Sequence, residues 1–133
     1  MNKIIKLSLF VVAVFIGILL DLLPIQVPNG IDKVYHFIGF ALITMCAIST
    51  FVAFVDKKWL NYFLIFLLVF GGIFAGMAEF VQKCTIMRNC SVEDWVVNLS
   101  GIVFVTLFVF LANAKEAKNH DVFESCFELK DFS

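Results

Sequence analysis

The sequence predicts an all-α membrane protein, a compact bundle of four transmembrane helices with both termini in the cytoplasm. Composition is the first observation behind this reading. Of 133 residues, 62% are hydrophobic and 17 are Phe, with a mean hydropathy of +0.98, whereas soluble domains are roughly 45–50% apolar. Length is the second. Crossing a bilayer takes about 20 mostly apolar residues, and the stretches at about 4–23, 34–55, 59–81 and 95–112 qualify. They fill nearly all of residues 1–112, which reads as one membrane domain with a cytoplasmic tail at 113–133 and no separate soluble domain. The third observation is where the basic residues fall. An even number of spans puts both termini on one face, and that face carries Lys3, Lys6, Lys57, Lys58, Lys115, Lys118 and Lys130, against Lys33, Lys83 and Arg88 on the other. The excess marks the cytoplasmic side, so the loops from Pro24 to Lys33 and from Lys83 to Asp94 are expected outside. Nothing in the sequence points to nucleic acid.

Each element has its own justification. Lys3 and Lys6 precede a long apolar run that resembles a signal peptide, but no small-x-small cleavage site follows and three more spans do, so it reads as a retained span. Its Ala13, Gly17 and Asp21 recur every four residues and form one stripe. Pro24 and Pro28 fit an extended loop, because proline lacks an N–H and disfavours helix in the residue before it. The second span opens with Asp32, Lys33, His36 and Gly39. Asp32, His36 and Gly39 share a helical face, which Ile43, Ala47 and Thr50 continue. Asp32 reads as a helix N-cap, an interaction of about 0.5–2 kcal/mol, and Lys33 as a side chain snorkelling to headgroups. His36, about one turn inside the helix, is explained by neither.

The turn at Asp56, Lys57 and Lys58, followed by Trp59 and Tyr62, reads as an interfacial anchor. The third span carries Gly72, Gly76 and Glu79 at spacings of four and three. Small residues let membrane helices approach closely, so this face is expected inside the bundle with Glu79 on it and Gln82 within hydrogen-bonding reach. Cys84 and Cys90 flank Met87 and Arg88, and a disulfide between them could persist in an extracytoplasmic loop. Ser91 to Asp94 reads as a capping box opening the fourth span. Capping leaves Asn98 unexplained, since it lies four residues deeper on the face shared by Asp94 and Gly101. Phe123 and Phe127 in the tail suggest a short helix on the inner leaflet.

Charged and amide groups inside membrane segments are costly and usually face a bundle interior or a functional cavity. The polar positions of all four spans lie near the same outer surface, where they are expected to form a polar pocket. Helices two and four would bring their positive N-terminal ends to it. With Lys33, Arg88 and His36, such a pocket suits a phosphate or carboxylate group. The ligand-binding candidates are Lys33, His36, Glu79, Gln82, Arg88, Asp94 and Asn98. His36, Asp32 and Glu79 are candidates for acid–base catalysis, with no nucleophile motif beside them. A single histidine without a tight ligand cluster gives no metal site and no cofactor. A third reading makes the polar residues interhelical glue in a structural or partner-binding subunit. The matching spacings of Asp32, His36, Gly39 and Asp94, Asn98, Gly101 also raise an internal repeat about an axis along the membrane normal.

These segments resemble the VanZ family of small bacterial membrane proteins, which carry an Asp-Lys-x-x-His segment and a later Glu-x-x-Gln…Arg…Asp-x-x-x-Asn-x-x-Gly segment. The matching positions are Asp32, Lys33, His36, Glu79, Gln82, Arg88, Asp94, Asn98 and Gly101. The chain departs from the family at Cys84 and Ile86, where an aromatic residue and a proline are usual. The resemblance implies a multi-pass protein of the bacterial cytoplasmic membrane, related to one associated with teicoplanin resistance. The expected partners are membrane lipids or a lipid-linked cell-wall precursor, with an anionic envelope lipid recognised or modified at the outward site.

Overall fold

The computed structural model describes residues 2–22, 30–85 and 92–128, with side chains at 2–19, 30–81 and 92–118. Every regular element among them is helical: α1 (Lys3–Leu22), α2 (Ile31–Phe54), a 3-10 turn (Lys57–Trp59), α3 (Leu60–Thr85) and α4 (Val92–Glu128). Among the described residues three helical stretches are long and apolar enough to cross a membrane, at Ile31–Phe54, Lys57–Val81 and Val92–Lys118; α1, expected as the first span, is not one of them. Their outer faces fit that role. Phe66, Phe70, Phe74, Phe104 and Phe108 are exposed, which water disfavours and lipid tails accept.

The helix boundaries follow local chemistry. Asn2 precedes α1, and its Oδ1 accepts the Ile4 N–H at 3.2 Å, satisfying one of the N–H groups a helix start leaves over. Gly30 stands before α2 with φ of 101°, and no described side chain caps this helix. A side-chain-bearing residue would be strained at that φ. Asp32 is therefore not the N-cap that the sequence pattern suggests: α2 starts before it, and Asp32 belongs to the first turn. Between α2 and α3 the Val55 N–H bonds back to Phe51 O at 2.9 Å and the Trp59 N–H to Asp56 O at 3.0 Å, a tight reversal. Helix α4 starts at Val92, as a cap at Ser91 predicts, although Ser91 itself is outside the described residues. It then runs for 37 residues without a break. The segment at 113–128, expected as a tail with a separate surface helix, continues α4. The side chains of Phe123 and Phe127 are outside the described residues.

Helix α4 packs closely on both α2 and α3, and α1 packs on α2, while the consecutive α2 and α3 touch little. Contacts fix the directions. Lys33 pairs with Glu93, and Phe37 stacks obliquely on Phe104 with ring centroids 5.9 Å apart, so α2 and α4 run parallel. The tightest approach is at Gly101: a Cβ there would lie 2.6 Å from the Phe37 carbonyl oxygen and 3.2 Å from the Ala41 nitrogen. Only glycine lets the two backbones meet this way. If the two halves were related by a two-fold axis, Gly39 would press on Leu99 in the same manner. It does not, because no described atom lies within 4 Å of a Cβ at Gly39. The repeated spacing therefore places two parallel helices side by side without equivalent contacts.

Helices α3 and α4 are antiparallel, joined along a seam where Ile102 covers Gly71, Leu99 covers Gly72 and Trp95 covers Gly76. The Trp95 indole N–H donates to the Gly72 carbonyl at 3.1 Å. This is the close packing that the Gly72 and Gly76 spacing predicts. Helix α1 is held to α2 by Ile43 over Gly17 and by the Thr50 hydroxyl, which donates to the Lys6 carbonyl at 3.1 Å.

The interior is divided lengthwise. Towards the α2–α3 turn it is mainly apolar, with Ile48, Leu60, Leu64 and Val105 at its centre, Phe51 stacked on Phe63 at 4.0 Å, and Thr106, next to Val105 in sequence, a buried polar exception. Towards the other end, where α2 and α4 begin, the buried side chains are polar: His36, Glu79 and Asn98.

Candidate functional site

The polar end is assembled from two pairs. On α2 the carboxylate of Asp32 and the imidazole of His36 are one turn apart, with His36 Nε2 3.7 Å from Asp32 Oδ1. His36 is buried, while Asp32 keeps part of its surface. Between α3 and α4, Asn98 Nδ2 donates to Glu79 Oε1 at 3.0 Å. Both of these side chains are buried, Asn98 completely so. Donation through Nδ2 fixes the sense of the Asn98 amide, leaving Oδ1 as an acceptor. That oxygen is buried and has no hydrogen-bond partner among the described residues.

Asp94 connects the pairs. It lies one turn before Asn98 on the same face of α4, half-buried, and its carboxylate comes together with Asp32 and His36. One ligand atom from each of the three lies within 4.8 Å of the others. The sequence reading expects these positions to share one outer pocket, but not which of them touch: Asp94 is 62 positions from Asp32 and becomes its neighbour only through the parallel packing of α2 and α4.

Of the remaining candidates, Lys33 is engaged in an ion pair with Glu93 at the exposed end of the bundle. The sequence reading leaves Glu93 inside a capping motif, and no local spacing could have matched it to Lys33. Arg88, Cys90 and the side chains of Gln82, Cys84 and Asp21 are outside the described residues, and so is any disulfide between Cys84 and Cys90. Gly101, matched only as part of a motif, sets the distance between the helices that carry the cluster. Trp95, which no motif includes, ties α4 to α3 one residue after Asp94.

Two apolar hollows lie away from this site. One, of about 390 Å³, is bordered by Phe51, Val55, Trp59, Tyr62, Phe63 and Phe66 at the turn end. The other, of about 290 Å³, lies between α3 and α4 beside Leu64, Leu68, Val103 and Leu107. Neither brings polar side chains together in the way the other end does.

Chemically, the arrangement offers a histidine beside a carboxylate, a second carboxylate from another helix, and a buried amide oxygen within the same layer. Two parallel helices also begin there, turning their N–H ends towards it. These groups can exchange protons, hold a cation or accept hydrogen bonds from a polar ligand. Nothing among protein-family models, curated proteins or solved structures matches this chain.

Proposed function

We infer that this chain is a VanZ-like protein of the bacterial cytoplasmic membrane that recognises or modifies an anionic envelope lipid or lipid-linked cell-wall precursor. In this reading α1 crosses as a fourth span, both termini are cytoplasmic and the polar end opens outward. The observation that supports it is the grouping of His36, Asp32, Asp94, Glu79 and Asn98 at one end of an otherwise apolar bundle. Membrane helices carry such groups at a cost, and the usual return is a ligand or a proton path. The N-terminal ends of α2 and α4 favour an anionic group there. Because Lys33 is held by Glu93, attraction of the headgroup falls to Arg88, His36 and the helix ends. A link to teicoplanin-type resistance follows from the resemblance, since glycopeptides act on cell-wall precursors outside the cytoplasm.

The approach of His36 to Asp32 favours a second reading, an acid–base enzyme acting on a lipid-linked substrate. A carboxylate beside an imidazole orients it for proton transfer. The Glu79–Asn98 bond favours a third, in which the polar groups hold helices together in a non-catalytic subunit.

The test is lipid analysis of protein purified in mild detergent. An anionic polyprenyl or glycerol lipid enriched with wild type and lost from His36→Ala and Asp94→Ala is expected. Turnover of that lipid, abolished by His36→Ala, would assign the enzyme. Equal lipid content in all three proteins, each folded, would leave the structural role and reject recognition.

A further inference from the structure

We propose that Asp32, His36 and Asp94 form a binding site for a divalent cation of the zinc or manganese type. The inference goes beyond lipid recognition and does not rest on it.

The first argument is geometric. One donor atom from each residue lies within 4.8 Å of the others. Donors held about 2.1 Å from a zinc ion at tetrahedral angles are about 3.4 Å apart. His36 Nε2 and Asp32 Oδ1 are already 3.7 Å apart, so the ion needs only small side-chain rotations to gather its ligands.

The second argument is rigidity. Asp32 and His36 come from successive turns of α2, and Asp94 comes from the first turn of α4. The backbone contact of Gly101 with Phe37 and Ala41 locks those helices together one to two turns away. A site built on packed helices holds its geometry better than one on loops.

The third is charge. Asp32 and Asp94 converge beside His36 while Glu79 is buried in the same layer. Like charges brought together in part-buried positions repel one another. A divalent cation reverses that repulsion.

A fourth observation comes from Asn98. It is fully buried, its Nδ2 is committed to Glu79, and its Oδ1 has no partner among the described residues. It stands one turn from Asp94 on the same face of α4. Three protein ligands leave at least one coordination position for water, and metal-bound water is a strong donor that needs an acceptor. Asn98 carries such an acceptor and follows Asp94 by one helical turn, about 5–6 Å between Cβ positions.

The donor set selects the ion. One imidazole and two carboxylates suit zinc, manganese or ferrous iron. Calcium takes 6 to 8 oxygens as a rule, and cuprous ion prefers sulfur.

The test uses the full chain in detergent micelles, stripped with chelator and dialysed against Zn²⁺ or Mn²⁺ in separate arms. The expected result is one ion per chain by elemental analysis in at least one arm. Binding should weaken at least tenfold in Asp94→Asn and in His36→Ala. Asp94→Asn keeps the side-chain volume, and a wild-type unfolding temperature without metal establishes that it folds. In the Mn²⁺ arm, or with Cu²⁺ as a spectroscopic probe, electron spin-echo spectra should show imidazole nitrogen coupling that is absent from His36→Ala. Absence of stoichiometric binding in both arms would overturn the proposal. So would undiminished binding in both folded variants, which would put the ion elsewhere. Wild-type protein that binds the ion but co-purifies no enriched anionic lipid would reject the lipid reading and leave this one intact.

Discussion

Asn98 and Gly101 stand three residues apart on α4 and make opposite demands, one for a particular side chain and the other for none. Asn98→Ala removes the donor to Glu79 Oε1 from a completely buried position. Leaving a buried polar group short of a hydrogen bond costs about 1–3 kcal/mol, and the expected outcome is a lowered unfolding temperature in detergent. Asn98→Asp should be worse, because it sets a second carboxylate against Glu79. Gly101→Ala drives a methyl group into the Phe37 carbonyl, 2.6 Å away. Overpacking of this kind costs about 1–3 kcal/mol, whereas Gly39→Ala enters open space and should leave stability unchanged or raise it, since alanine is the better helix former by about 1 kcal/mol. Thermal unfolding of the pair measures the contrast directly. The two glycines have the same place in the sequence motif, so spacing alone could not distinguish them. What separates them is whether a neighbouring backbone is there.

At the scale of elements, periodicity was informative about faces and silent about partners. The stripe of Gly72, Gly76 and Glu79 does turn inward, and the α3–α4 seam runs along it. Asp94 and Asn98 share a face, as four-residue spacing requires. Yet the pairing of Lys33 with Glu93 joins residues 60 positions apart, and that of Lys57 with Glu116 joins residues 59 apart. Neither leaves a local signal. The start of α2 differs from the sequence pattern for another reason: an aspartate near a helix start resembles a cap, but Gly30, with its positive φ, precedes the helix and Asp32 lies in its first turn. The end of α4 went unread because the hydrophobic pattern stops near Ala112 while the helix does not. The seam makes a further prediction. Trp95→Phe keeps the ring over Gly76 but removes the hydrogen bond to the Gly72 carbonyl, and should lower stability by about 0.5–1.5 kcal/mol. Trp95→Ala should cost more than Trp95→Phe but less than the roughly 3–5 kcal/mol of a fully buried aromatic, because the residue is 37% exposed, and chemical denaturation in mixed micelles would rank the two.

For the whole molecule, membrane character is the most legible property, since composition alone gives it and the exposed phenylalanines of α3 and α4 bear it out. Orientation depends on charge placement and has its own test: a reporter active only outside the cytoplasm, fused after Ser133, should be silent. Helix α4 also links the two ends of the molecule. Lys57 meets Glu116 beside the α2–α3 turn, and the helix continues to Glu128, about 18 Å farther at 1.5 Å per residue. The parallel contact of Gly101 with Phe37 carries a consequence for biosynthesis. Ribosomes deliver the chain from its N-terminus, so α2 and α3 enter the membrane before the helix that completes their polar layer exists. Until then Asp32 and His36 lack Asp94, and Glu79 lacks Asn98. A nascent chain stopped before Val92 therefore presents charged groups to lipid, and quality-control proteases should remove it faster than a chain stopped after Ala112.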